Sequence, residues 1–194
     1  MSAFGNILKH ILTAVWLAAG LSAGPSAGFG GSAAAGADTL DGLMQQLKSA
    51  NDATWKPIED KIWAAWSRSG SAAMDLLLKR GRDAIDAQDY DAAIEHLTAL
   101  VDHAPDFAEG YDARALAYYQ SGRYGPALQD IRHVLSLNPR HFGALAGLAA
   151  ILEEAGKPKK ALEVYRKVLA IHPHKPDVLK AVKRLEDSLG GVAL

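Results

Sequence analysis

The sequence predicts an all-α protein, a solenoid of helix–turn–helix repeats closed by a C-terminal capping helix. Three observations carry this. Pro105, Pro139 and Pro173 stand 34 residues apart. The same step aligns Ala93 with Ala127 and Ala161, Leu97 with Ile131 and Tyr165, and Leu100 with Val134 and Val168. Alanine is abundant and Ile and Val comparatively sparse, which favours helix over strand. Several position classes recurring in one register identify a structural repeat, whereas one would not. With 49% apolar and 22% charged residues the chain has the balance of a folded protein.

Taken in order, the chain begins with Lys9 and His10 ahead of an apolar run over 11–21 that Gly20 interrupts. A bilayer-spanning helix needs about twenty apolar residues. The basic start, short apolar run and small residues beyond it are the three parts of a secretory signal peptide. Cleavage is expected after Ala23 or after Ala37, and the chain has no cysteine that could carry a lipoprotein anchor. Residues 24–37 are rich in Gly, Ala and Ser without charge, a linker composition. The mature protein is therefore expected in the periplasm, or, with the segment retained, tethered to the membrane with the repeats outside the cytoplasm. Mass spectrometry of the mature chain should find a start near Gly24 or Asp38; an intact Met1 in the soluble fraction would contradict export.

Residues 38–73 read as a helical N-terminal cap or one more, degenerate copy. Leu43 and Leu47 mark its first helix, and Ile58, Ile62, Trp63 and Trp66 its second. Trp63 and Trp66 fall where Leu97 and Leu100 stand one step later, so they are expected to pack on the first clear repeat. Three repeats follow, over 74–107, 108–141 and 142–174. In the second, Tyr111, Ala115 and Tyr118 form one stripe and Gly122 ends the helix; Pro126 lies in the first turn of the next, where a missing amide costs little. In the third, Leu145, Leu148 and Leu152 mark the first helix and Ala161, Tyr165 and Val168 the second. Residues 175–194 form the capping helix and tail, with Leu179, Val182 and Leu185 packing back. One hairpin cannot bury both its faces, so the copies must stack.

In its period and characteristic positions this pattern resembles the tetratricopeptide repeat family, over residues 74–174. The resemblance implies a right-handed superhelix whose concave face, lined mainly by first helices, holds a peptide or protein segment. Carried over residue by residue, the groove positions are Leu78 and Arg82 in the first repeat, Glu109, Asp112, Leu116 and Tyr119 in the second, and Ala150 and Glu153 in the third. Asp75, Asp86, Ala146, Lys180 and Arg184 lie around them. The centre is expected to be acidic with an apolar, aromatic strip, suited to an amphipathic or modestly basic segment.

Two departures from the family are informative. Arg80, Arg114 and Leu148 occupy one repeated position where an apolar residue is usual, and His96, Asp130 and Val164 occupy the facing one. Arg114 with Asp130 is expected to be an internal ion pair, replaced in the third copy by two apolar residues. Arg80 has no acid at the equivalent place; it is expected either to use Asp83 or to remain free, which makes it the better ligand candidate. The Lys and Asn clamp with which relatives grip chaperone C-termini is absent, its places taken by residues including Leu78, Arg82 and Ala113.

Other chemistry finds little support. The net charge is -1 and basic residues form no stripe, which argues against nucleic acid. His172 and His174 are a weak metal pair without cysteine or clustered carboxylates, and His103 and His141 read as exposed turn residues. No catalytic motif or carboxylate dyad occurs. The expectation is a non-catalytic interaction module, an adaptor, scaffold or assembly factor, without metal or cofactor, whose partner is a protein or peptide. The alternative is a membrane-tethered, non-catalytic subunit of a larger enzyme complex.

Overall fold

The computed structural model describes residues 39–190. The expected signal peptide, its cleavage points and residues 191–194 lie outside them. Among the described residues there are nine α-helices and no strand. They are α1 (Leu40–Ser49), α2 (Trp55–Trp66), α3 (Ala72–Asp86), α4 (Tyr90–His103), α5 (Ala108–Gln120), α6 (Tyr124–Leu137), α7 (Phe142–Glu154), α8 (Pro158–Ile171) and α9 (Pro176–Gly190). Helices α3 with α4, α5 with α6 and α7 with α8 pair as antiparallel hairpins, and each hairpin stacks on the next.

The repeated residues are the ones that hold the hairpins together. Ala93, Ala127 and Ala161 are wholly buried, as are Leu100, Val134 and Val168. Leu97, Ile131 and Tyr165 fill the space between paired helices. At the closest approach of α3 and α4, a Cβ on Gly81 would stand 2.4 Å from Leu97 Cγ, so only glycine fits against that leucine. The equivalent positions, Ala115 and Ala149, are small and buried too.

The turns inside the three hairpins are identical in hydrogen bonding. The amides of Asp89, Arg123 and Lys157 donate to the carbonyls of Ala84, Tyr118 and Leu152, and those of Gln88, Gly122 and Gly156 to Ile85, Tyr119 and Glu153. This is the Schellman termination, whose pivot residue takes a left-handed φ. Gly122 and Gly156 supply it at 76° and 66°; Gln88 adopts 62° with a Cβ in place. Gln88→Gly is therefore expected to stabilise the protein by about 0.5–1 kcal/mol, read as a higher urea midpoint at unchanged slope. A lower midpoint would mean that the Gln88 side chain contributes more than its backbone costs.

The N-terminal hairpin departs from expectation. Thr39 caps α1 by accepting from the Gly42 amide at 3.1 Å, and Leu43, Met44 and Leu47 bury its inner face. However, α1 lies against α8 rather than at the α3 end of the stack. Ile62 and Trp63 join a core made by α1, α2, α7, α8 and α9. Trp63 and Trp66 meet Phe142 edge-on or tilted at centroid distances of 5.3 and 5.0 Å, and Trp66 stacks on His141 at 4.4 Å. The cause is chemical. The start of α7 offers a histidine, a phenylalanine and then Gly143, whose missing Cβ leaves room for the Trp63 ring. The first repeat offers nothing comparable, and its Leu76 remains 47% exposed.

Charge fixes the same docking. Glu59 on α2, 4% exposed, accepts from Lys175 Nζ at 2.9 Å, with His172 Nε2 3.4 Å away. Burial pushes the Glu59 carboxyl up, but His172 and Lys175 outweigh it and hold it well below the ordinary carboxylate range. Burial lowers the His172 pKa, and the Trp55 and Phe142 rings meet its imidazole tilted and edge-on at 5.2 and 5.3 Å. Asp41 pairs with Arg140, and Asp52 with His174 at 2.7 Å.

Candidate functional site

Helices α5 and α7 are first helices of adjacent repeats, and a small open pocket lies between them. Asp112, Ala115, Leu116 and Tyr119 line it from α5, Ile131 from α6, and Gly143, Ala144, Gly147 and Ile151 from α7. Two glycines one turn apart on α7 create the depression. A Cβ on Gly147 would only touch Ile131 at 3.4 Å, so the space belongs to the site and not to helix packing. Gly143 serves both features, with the Trp63 ring of the N-terminal hairpin against it and the pocket beside it.

Of the eight residues expected to line the groove, Asp112, Leu116 and Tyr119 do so. The other five are used inside the protein. Leu78 is 2% exposed and belongs to the core of the first repeat, and Ala150 is buried on α7. Arg82 reaches Glu109 with one nitrogen and Ser67 Oγ with another at 2.9 Å, which ties α3 to both α5 and the end of α2. Glu109 is 1% exposed, so it contributes no free charge to the groove. Glu153 accepts from Arg184 of α9 at 2.7 Å.

The histidines also differ from expectation. His103 is exposed, but His141 and His172 are fully buried. His141 caps α7: its Nδ1 accepts the Ala144 amide at 3.0 Å, which leaves Nε2 as the donor to Glu109 Oε1 at 2.8 Å. Burial disfavours an imidazolium there, yet Asp112 and Glu109 outweigh it and raise the His141 pKa. Protonation at Nδ1 would exchange the Ala144 cap for Asp112, whose Oδ1 lies 3.8 Å away. Against the same burial, His141 and Arg82 hold the Glu109 carboxyl low.

No local sequence signal marked this cluster, because its members come from two helices and a turn. Glu109, Asp112 and His141 could each offer a ligand atom within 4.8 Å of the others. Both nitrogens of His141 and both oxygens of Glu109 are already engaged, and the Arg82 guanidinium supplies the positive charge. The cluster is thus complete as a salt-bridged joint and is no cation cage. His172 and His174 do not converge either, since one is buried against aromatic rings and the other faces Asp52.

Asp112 is the exception in this joint. Its side chain is 20% exposed at the pocket, and no described residue donates a hydrogen bond to it. Burial, assisted by Glu109, pushes its pKa up to about 6. Burial followed by the charge of Glu154 likewise pushes the Tyr119 phenol up to about 12. The pocket therefore has an apolar floor and an acidic rim.

Arg114 and Asp130 form the expected brace between α5 and α6, through Nε and Nη2 at 2.8 Å each, with Nη1 on Thr98 Oγ1 at 3.2 Å. Arg80 is exposed, and Asp83 pairs with Lys79 instead.

Stacked antiparallel helix pairs with a recess between successive first helices define a helical-repeat solenoid, a class of scaffold built for holding other chains. The comparisons place it more narrowly. A tetratricopeptide repeat model matches residues 78–131 and again 113–176, and the chain belongs to the tetratricopeptide repeat family. A tetratricopeptide repeat-containing protein of Rhizobium etli is 36% identical over 153 residues, 78% of this chain and 75% of that one. The small glutamine-rich tetratricopeptide repeat-containing protein 2 of Saccharomyces cerevisiae is 30% identical over 79% of this chain, which spans 46% of its length.

Among solved structures, the first such domain of Spaghetti (RPAP3) bound to the HSP90 peptide SRMEEVD superimposes with a TM-score of 0.58 at 22% identity, covering 62% of this chain and 95% of that one. MamA does so at 0.55 and 20%, covering 78% and 80%. These two show the shared fold. Tetratricopeptide proteins mediate protein–protein interaction.

Proposed function

We propose that this protein is a non-catalytic adaptor or assembly factor of the periplasm or cell envelope, holding a segment of another protein in the pocket between α5 and α7. The carrying observation is the pocket itself, which opens between two first helices with an apolar floor and none of the described helices seated in it. The basic start and short apolar run before residue 22 support export. Among the described residues no helix is long and apolar enough to cross a membrane.

A chaperone C-terminus is not the proposed occupant. Leu78 and Ala113 are buried where relatives place clamp residues, and Arg82 is committed to Glu109. Gly147→Leu puts a side chain into the pocket from a helical position whose Cβ would meet only Ile131, at 3.4 Å. It is expected to leave the helical signal and urea midpoint nearly unchanged and to abolish retention of the partner recovered by affinity capture from the cell envelope. Equal recovery by the folded variant would remove the pocket from the account.

A further inference from the structure

We infer that the segment held between α5 and α7 presents an apolar side chain next to a lysine or arginine, the apolar group seated on Gly147 and Leu116 and the cation on Asp112. The inference rests on the proposed function and specifies its ligand.

The selectivity follows from what each acid in the region already does. Glu109 is spent on His141 and Arg82, and Glu153 on Arg184. Asp112 alone among them faces the pocket while receiving no hydrogen bond from the described residues, and its nearest base is His141 Nδ1 at 3.8 Å, a nitrogen occupied by the Ala144 amide. A partly buried carboxylate lacking a donor is a costly group that a cation would relieve. An acidic segment would meet Asp112 and, beyond Tyr119, Glu154, and would be repelled. The floor selects independently of charge. Leu116, Ile131, Gly147 and Ile151 offer no polar side-chain atom, so a polar side chain placed there would lose its water without compensation.

Binding should be linked to protons. The charged and titratable groups facing Asp112 are Glu109 on its own helix, His141 from the α6–α7 turn and Arg82 from α3. Since the free carboxyl titrates near about 6, a bound cation favours its ionised form and binding strengthens as pH rises through that value. Protonation of His141 at Nδ1 would draw Asp112 to itself and acts in the same direction. From pH 7.5 to 5.0 the ionised fraction of a group with this pKa falls roughly ten-fold, and affinity should fall with it.

The test is selection of a random twelve-residue peptide library, displayed on phage, against the immobilised full chain at pH 7.5, repeated with Asp112→Asn and with Gly147→Leu, all three shown to be folded by circular dichroism. Expected are peptides with Leu, Ile, Met or Val adjacent to Lys or Arg, an unchanged apolar preference but no basic bias on Asp112→Asn, and loss of enrichment on Gly147→Leu. A synthetic peptide from the wild-type selection should bind about ten-fold more weakly at pH 5.0 than at 7.5, and Asp112→Asn should flatten that dependence. Pocket-dependent peptides without a basic bias, or the same bias on Asp112→Asn, would overturn this inference and leave the binding function standing. Absence of any peptide sensitive to Gly147→Leu would overturn both.

Discussion

Glu59→Ala is expected to release the N-terminal hairpin at a cost of about 3–5 kcal/mol, the usual range when one member of a buried ion pair is removed. The partner left behind is Lys175, whose side chain is only 6% exposed and whose ammonium sits 2.9 Å from the lost carboxylate. Trp55, Trp63 and Trp66 are the only tryptophans among the described residues, and all lie on α2. Their fluorescence therefore reports this docking, while far-UV circular dichroism reports the helices as a whole. In the variant the fluorescence transition should move to lower urea than the loss of helix. Coincident, unshifted transitions would show that the aromatic contacts hold the hairpin without the charge. The sign of the pH dependence follows from the lowered Glu59 pKa: its stabilising contribution is present above about 4.5 and is lost as pH falls through the lower folded value. Glu59→Gln should therefore remove the acid-side slope of the fluorescence change.

The second large effect concerns the brace of the middle repeat. Asp130→Val leaves Arg114, 15% exposed and bidentate with Asp130, without its carboxylate. A loss of about 3 kcal/mol is expected, at the lower end of the range because Thr98 and the Tyr111 and Tyr118 rings still receive the guanidinium. The third repeat has already made the complementary change, with Leu148 and Val164 at the two positions. Arg114→Leu combined with Asp130→Val should consequently return to within about 1 kcal/mol of the parent, because two apolar groups replace a pair whose desolvation was costly. Urea unfolding of the two single variants and the double variant measures the coupling. Additive losses in the double variant would mean that the pair is more than an internal brace.

The repeats were legible because their information is local and periodic. A 34-residue step fixes Ala127, Ile131 and Val134 on one face whatever surrounds them, and burial follows from that face. The Arg114–Asp130 contact was legible for the same reason, since the repeat brings both positions together in every copy. The docking of α2 was not. Its tryptophans fit the repeat register, but their position was decided by partners 75 to 116 residues away, the α6–α7 turn and Lys175, and periodicity carries no record of such choices. His141 illustrates the same limit. A histidine in a turn is ordinarily solvated, and here the ring capping α7 is covered by Trp66 and hydrogen-bonded to Glu109. The groove was half legible: repeat positions identified the right helices, but the competition of Arg82 and Arg184 for Glu109 and Glu153 left Asp112 as the acid that faces the pocket.

That the pocket between α5 and α7 holds another protein is tested most directly by a photo-crosslinking amino acid at Tyr119, introduced into the protein in its own cells. Leu137, 37% exposed on α6 and outside the pocket, provides the comparison position. Capture in the pocket should give a discrete crosslinked partner from position 119 that is lost when Gly147→Leu is added and is not formed from position 137. The same crosslinks from both positions, or crosslinks from 119 that persist with the pocket filled, would contradict it.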